Sequence, residues 1–265
     1  MDLLDGAGVA DPRLQAEVLL AHAIHCDRAY FYAHPERELK EVEWIHYGRY
    51  LNDRMQGKPT QYITGNQEFY GRDFRVTPAV LIPRPETEHL VEAVLAALPN
   101  PARILDVGTG SGAIAITLAL EAARHTVFAT DISLKALKVA TQNAFTRRAQ
   151  IPFLNADLLA AIADQSLDAV VSNPPYVSST DADLMQREVR DWEPHLALFA
   201  GATGLDIYRR LIPAAARVLK RGGLLAMEFG FGQAEALTAL VSDWSGVEIK
   251  PDLAGIPRVL LCRKL

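Results

Sequence analysis

Apolar positions recur at helical spacing along the first 57 residues. Asp11 followed by Pro12 forms an N-cap and first-turn pair, and Leu14, Val18 and Ala21 then repeat at the helical period. A second helix is predicted after Pro35, marked by Leu39, Val42, Ile45 and Tyr50. From Pro59 to Pro85 the texture changes. β-Branched and aromatic residues stand in short runs broken by Gly65, Gly71, Pro78, Pro83 and Pro85, which predicts a hairpin-like connector. After Glu86 the chain alternates, with strands predicted at Arg103–Val107, Thr126–Thr130, Leu167–Ser172 and Gly223–Phe229 and helical patterns between them. Short apolar strands alternating with helices predict an α/β fold, a doubly wound and mostly parallel sheet. Val247–Leu253 and Arg258–Cys262 are joined by a tight turn containing Gly255 and Pro257, so the last strand is expected to be antiparallel. The expected organisation is a helical domain over residues 1–57, a hairpin-like linker over 58–85 and an α/β domain over 86–265.

A chain of 265 residues with 49% hydrophobic and 22% charged side chains is an ordinary globular protein of one or two domains, which excludes disorder. The net charge of −5 lacks the electrostatic footprint of a nucleic-acid binder. The paired bases Arg147–Arg148, Arg209–Arg210 and Lys220–Arg221 are scattered, so no direct nucleic-acid binding is expected. Two cysteines, Cys26 and Cys262, make no disulfide framework and suit a reducing cytoplasm, each as a small buried hydrophobe. The acidic start MDLLDGAGVADPRLQ is unlike a signal peptide. The apolar stretch Ala113–Leu120 falls short of the ~20 residues that span a bilayer, and no membrane role is expected. His22, His25 and Cys26 lack a fourth ligand and read as packing, so no metal is expected; Trp44, Trp192 and Trp244 read as core or interface anchors.

Candidate chemistry begins at Ile104–Gly112, ILDVGTGSG: a strand, three glycines at alternate positions, then a helix. Glycines let the backbone turn sharply and approach a ligand, and the helix start offers free N–H groups. Gly108, Gly110 and Ala113 also fit the dinucleotide fingerprint, which keeps a hydride-transfer enzyme open on this motif. Three aspartates favour another ligand. Asp106 offers a carboxylate to an amino group, Asp131 can accept from both hydroxyls of a ribose, and Asp157 can bond an adenine amino group. Amino acid, ribose and adenine together describe S-adenosylmethionine.

The tetrapeptide Asn173–Tyr176, NPPY, directly follows the predicted strand LDAVVS, where open α/β sheets place their sites. Two successive prolines stiffen the loop and push Asn173 out of the helical region. The Asn173 side-chain oxygen and the Pro174 carbonyl then form two acceptors, suited to both hydrogens of a planar amino group, with Tyr176 as an aromatic face. Holding an amide nitrogen in line with a sulfonium methyl supplies the positioning that such a weak nucleophile needs. No histidine need serve as base.

These motifs resemble those of class I methyltransferases. From end to end the chain is similar to the release-factor glutamine methyltransferases, the PrmC or HemK family. The resemblance rests on QYITGNQEFYG, LIPRPETE, DVGTGSGAIAI, SNPPYV, EPHLALFAGATGLDIYRRL, EFGFGQ and AGIPRV. It implies a seven-stranded sheet and N5-methylation of the glutamine in the Gly-Gly-Gln motif of peptide chain release factors, with S-adenosyl-L-homocysteine as product. It puts the cofactor on Gly108, Thr109, Gly110, Ser111, Gly112, Asp131 and Asn173, with Asp157 and Leu158 alongside; Leu158 stands where some relatives have an aromatic residue. It puts the substrate amide on Asn173, Pro174, Pro175 and Tyr176, with Asn173, Pro174 and Tyr176 catalytic, and suggests that Arg84 and Glu86 line the cofactor pocket. The alternatives are an adenine-N6 methyltransferase acting on DNA or RNA, a glutamine methyltransferase acting on a ribosomal protein, and a cofactor binder without catalysis. LIPRPETE speaks against the ribosomal-protein enzymes, which carry a VPRSP-like segment there, and the intact NPPY speaks against the binder.

Overall fold

Leu4 and Leu19, both fully buried, hold together the helices that open the chain. The computed structural model describes residues 2–265. By contact density the chain forms two compact units, one running to Asn66 and including Met185–Trp192, the other comprising Gln67–Leu184 and Glu193–Leu265.

The first unit contains α1 (Asp2–Gly6), α2 (Pro12–Ile24), α3 (Ala29–Ala33), α4 (Glu41–Met55) and α5 (Thr60–Thr64). Pro12 takes the first turn of α2, whereas Asp11 adopts a left-handed φ of 48° and makes no side-chain cap. The second long helix starts later than Pro35. The Glu43 carboxylate accepts the Lys40 N–H at 2.8 Å and fixes the helix entry there. Residues 60–64 belong to a helix rather than a hairpin, since the Pro59 carbonyl accepts from Tyr62 and Ile63 and Gly65 ends the turn at φ 74°. Trp44 does not anchor the core; it is 58% exposed on α4.

The hairpin itself is β1 (Asn66–Phe69) and β2 (Arg72–Arg75), turned by Tyr70 and Gly71 at φ 53° and 69°. The second unit continues through α6 (Glu88–Ala97), β3 (Arg103–Val107), α7 (Ala113–Glu121), β4 (Thr126–Asp131), α8 (Leu134–Arg147), β5 (Phe153–Asn155) and β6 (Leu167–Ser172). After α9 (Arg187–Trp192), which belongs to the first unit, come α10 (Asp206–Val218), β7 (Leu219–Glu228), α11 (Ala234–Leu240), β8 (Ser245–Pro251) and β9 (Pro257–Arg263). The chain's return to the first unit is held by the buried Arg54, which pairs with Glu188 at 2.7 Å.

The seven strands lie in the order β5-β4-β3-β6-β7-β9-β8. All are parallel except β9, which runs antiparallel to both neighbours. Successive side chains of a strand face opposite sides, and both sides are covered. Ile104, Ala169, Val171, Leu224 and Ala226 join one apolar cluster with α6 and α7; Leu105, Val170, Leu225 and Met227 join a second with α10 and α11. The chain winds outward from β3 to β5, then crosses back to β6 and winds the other way. That reversal creates a switch point between the carboxyl ends of β3 and β6, the place where such sheets bind ligands. Among the described residues no helix is long and apolar enough to cross a membrane.

Candidate active site

A cavity of about 210 Å³ opens at this switch point. The two loops that form it leave adjacent strands, and the Ser172 hydroxyl ties the strand ends by donating to the Val107 carbonyl at 2.7 Å. Gly108, Thr109, Gly110, Ser111, Asp131, Asp157, Leu158, Asn173, Pro174 and Pro175 all line the cavity. Gly112 and Tyr176 do not.

The glycine loop is folded back on β4. The N–H groups of Gly108 and Thr109 both donate to the Thr130 carbonyl, at 2.9 and 3.0 Å. Gly112 sits at φ 84°, and a Cβ there would lie 2.9 Å from Ile116 Cδ1, so the close packing of α7 requires glycine. Gly108 and Gly110 are different. A Cβ on either meets nothing within 4 Å, and the open space beside them belongs to the cavity. Asn143, buried in α8, braces the loop from behind by donating to the Ser111 and Arg75 carbonyls at 2.8 and 3.0 Å.

Asp131 stands at the cavity wall. Its two oxygens accept the Gly110 N–H at 2.9 Å and the Ser133 N–H at 2.8 Å. Burial pushes its pKa up against the pull of those N–H groups. A carboxylate oxygen accepts more than one hydrogen bond, so both keep capacity for a ligand. Asp106 is turned away from the cavity, contrary to the expectation that it meets an amino group. Its Oδ2 accepts from Thr109 Oγ1 at 2.6 Å and from the Ala115 N–H at 3.2 Å. Complete burial pushes its pKa up to about 7. Asp157 lies at the rim in an ion pair with Arg210 at 2.6 Å. Leu158 follows with φ 51° and adds apolar wall.

Asn173 donates through Nδ2 to Thr87 Oγ1 at 3.0 Å. The partner belongs to the segment LIPRPETE, which also reaches Glu193: the Ile82 N–H donates to Glu193 Oε2 at 3.2 Å and Arg84 pairs with Oε1. Arg84 lines the cavity as expected, but Glu86 is exposed and Thr87 takes the inner position. Tyr176 differs from expectation. Its ring lies against Gly230, where a Cβ would come within 2.8 Å, and its carbonyl accepts from Gln233 Nε2 at 3.0 Å. The motif EFGFGQ thus clamps the NPPY loop from below. Glu228, the first residue of that motif, is 2% exposed, and burial pushes its pKa up to about 7 while hydrogen bonds from Thr87 and Asn173 pull it down. The sequence reading gave Thr87 and Glu228 no role; an acid closing the apolar run LLAMEF was the available signal.

Open glycine backbone, a buried carboxylate and apolar walls from Ile114, Ile132 and Leu158 fit an adenosine with a charged tail, and so fit S-adenosylmethionine.

Comparison with known proteins decides the family. A release factor glutamine methyltransferase of Koribacter versatilis is 52% identical over 264 residues, covering 98% of this chain and 94% of its own length. The chain belongs to the release factor glutamine methyltransferases. Another member, from Nitratidesulfovibrio vulgaris, is 42% identical over 98% of this chain and 91% of its own length. Within the family frame, residues 1–65 match the PrmC N-terminal domain and residues 86–197 the Methyltransferase small domain. Two solved structures share the fold. The Mtq2-Trm112 complex of E. cuniculi is 24% identical with a TM-score of 0.52 over 71% of this chain and 99% of that one. The 16S rRNA methyltransferase RsmC of T. thermophilus, in complex with AdoMet and guanosine, is 19% identical with a TM-score of 0.57 over 76% of this chain and 50% of that one.

Proposed function

We propose that this chain methylates the side-chain amide nitrogen (N5) of the glutamine in the Gly-Gly-Gln motif of peptide chain release factors, using S-adenosylmethionine, in the cytoplasm. The observation that carries the reading is the meeting of the glycine loop and the NPPY loop in one cavity. The full-length likeness to release factor glutamine methyltransferases supports it, in preference to the nucleic-acid and ribosomal-protein alternatives. Three of the six paired bases are also engaged with acids: Arg209 with Asp206, Arg210 with Asp157 and Lys220 with Asp168.

In this reading Gly108, Thr109, Gly110 and Ser111 approach the cofactor with backbone, Gly112 seats the helix behind them, and Asp131 accepts from the ribose hydroxyls. Asp157 and Leu158 border the adenine. The bound cofactor supplies a methyl carbon made electrophilic by its sulfonium. Asn173 Oδ1 and the Pro174 carbonyl accept the two N–H hydrogens of the substrate carboxamide, fixing its nitrogen in line with that carbon. Pro175 stiffens the pair, and Tyr176 anchors the loop beneath them. Such positioning can contribute ~7–11 kcal/mol in the best cases. The methylated nitrogen becomes acidic and releases its proton, leaving S-adenosyl-L-homocysteine as the other product.

A glutamine side chain is too small to specify a protein partner, so a second surface must add selectivity. The helical region over residues 1–57 supplies it here, and the exposed Val42, Trp44 and Ile45 of α4 support that role.

The test is tandem mass spectrometry of a release factor after incubation with this protein and S-adenosylmethionine. The methyl group is expected on the Gly-Gly-Gln glutamine. A glutamate version presents no N–H donor and takes no methyl; an asparagine version is short by one methylene, and a misplacement of ~1 Å can cost 10²-fold. Methyl transfer to the glutamate version, or to adenine in DNA with the release factor ignored, overturns the assignment.

A further inference from the structure

Beneath the NPPY loop Asn173 meets two side chains that the reaction described above does not use, Thr87 and Glu228. Asn173 Nδ2 donates to Thr87 Oγ1 at 3.0 Å. Thr87 and Asn173 both stand close enough to Glu228 to pull its pKa down as donors, while its Oε2 is buried without a partner. Thr87 and Glu228 are 4% and 2% exposed, and the Tyr208 hydroxyl pins the Glu228 backbone carbonyl at 2.8 Å. With Glu228 ionised, the count of donors sets the direction of these bonds. A threonine hydroxyl that accepts from an amide has one hydrogen left to give, and an amide nitrogen has two. Both remaining hydrogens need an acceptor, and the carboxylate is one that cannot donate.

From this geometry we propose that Glu228 is a positioning residue: its acceptor-only carboxylate holds the Asn173 amide with Nδ2 turned inward and Oδ1 turned to the cavity. The proposal rests on the reading that Asn173 Oδ1 accepts from the substrate. An amide can flip by exchanging O and N at almost no steric cost, and the hydrogen-bonding partners decide which way it points. A flipped Asn173 would present two N–H donors to a substrate amide that also needs to donate. Protonated Glu228 could itself donate to Asn173 Oδ1 and favour that unproductive flip. The groups around Glu228 bear on this titration. Arg258 on β9 favours the carboxylate, and Glu86 ahead of α6 opposes it. Tyr176, with its pKa pushed up to about 12, stays neutral. Burial dominates and lifts Glu228 to about 7, so the ionised lock is established as pH rises past neutrality.

The variant that tests this is Glu228→Gln, which keeps the shape and removes the charge. Its amide can donate to Asn173 Oδ1, so kcat is expected to fall about 10- to 100-fold while the KM for S-adenosylmethionine is unchanged. Its melting temperature is expected at or above that of the unmodified protein, because a buried charge has gone. The kcat of the unmodified protein should rise with pH through the Glu228 ionisation, and that of Glu228→Gln should not. A second readout needs no turnover. In the cofactor-free protein the Asn173 side-chain amide NMR resonance, identified by its loss in Asn173→Ala, should shift with pH, and Glu228→Gln should abolish the shift. Inactive Asn173→Ala beside fully active Glu228→Gln overturns the role of Glu228 alone. Full activity in Asn173→Ala overturns the reading of Asn173 and this proposal with it. An Asn173 resonance that stays still between about pH 5 and 9 also overturns the lock.

Discussion

Replacing Asp131 with asparagine changes one oxygen into an NH₂ group and leaves the side-chain shape intact. In the native protein each oxygen accepts a backbone N–H, Gly110 at 2.9 Å on one side and Ser133 at 2.8 Å on the other. An asparagine has a single acceptor, so in either flip its NH₂ confronts one of these donors. Either the glycine loop or the start of α8 is left with an unsatisfied, largely buried N–H, at a cost of about 1–3 kcal/mol. Because burial already pushes the carboxylate pKa up, removing the charge relieves some desolvation, and the stability loss should fall near the lower end of that range. Ligand binding suffers separately. In the proposed role, charge-assisted hydrogen bonds to the two ribose hydroxyls are replaced by one neutral acceptor and one donor, a loss of about 1.5–3 kcal/mol, or about 10- to 150-fold in affinity. Titration calorimetry with S-adenosylmethionine near pH 8 measures the second effect, and thermal unfolding without ligand the first. A folded Asp131→Asn protein that binds with unchanged affinity would refute the assignment of Asp131 to the cofactor.

Gly230→Ala brings a methyl within 2.8 Å of the Tyr176 ring at a backbone angle that alanine tolerates, so it isolates the clamp under NPPY. It should lower kcat, cost about 1–3 kcal/mol of stability and leave cofactor affinity nearly intact, as steady-state kinetics and melting curves will read. Trp44→Ala combined with Ile45→Ala removes two exposed apolar side chains from α4, and should raise the KM for a release factor without changing calorimetric binding of S-adenosylmethionine. Asp106 has a folded pKa raised from 3.8 to about 7. The folded state therefore holds a proton that the unfolded chain has already lost, and stability declines as pH climbs across that interval. Denaturant unfolding of Asp106→Asn should show a shallower decline, with Glu228 supplying what remains; an unaltered pH dependence would argue against a buried, neutral Asp106.

Much of the fold was readable because its causes are local. The predicted bounds of β3 and β6 coincide with those observed, since each is an apolar run ended by turn chemistry. The antiparallel last strand followed from the short turn at Gly255 and Pro257. The helix α5 was not readable from its own β-branched residues; the Pro59 carbonyl and Gly65 bound it into a helical turn within an otherwise strand-like stretch. The candidate site divides the same way. Glycines and prolines announce backbone conformations in their own letters, so the two loops stood out. The directions of Asp106 and Tyr176 did not, because burial and partners elsewhere in the chain decide them.

The sequence by itself therefore determined which segments alternate as strand and helix, where the glycine and NPPY loops fall, and the family to which the chain belongs. Tertiary structure alone decided three further things. It set the strand order that brings β3 beside β6. It drew Met185–Trp192 out of the sheet-forming part of the chain and into the helical unit, where Glu188 meets the buried Arg54. It also joined Asn173 to Thr87, 86 residues away, and set Glu228 beneath both. The physical reason is common to all three. Periodicity and turn chemistry act over a few residues and are written in neighbouring letters. Pairing of buried charges, sharing of hydrogen bonds and packing of strand against strand depend on which distant residues the folded core forces into contact.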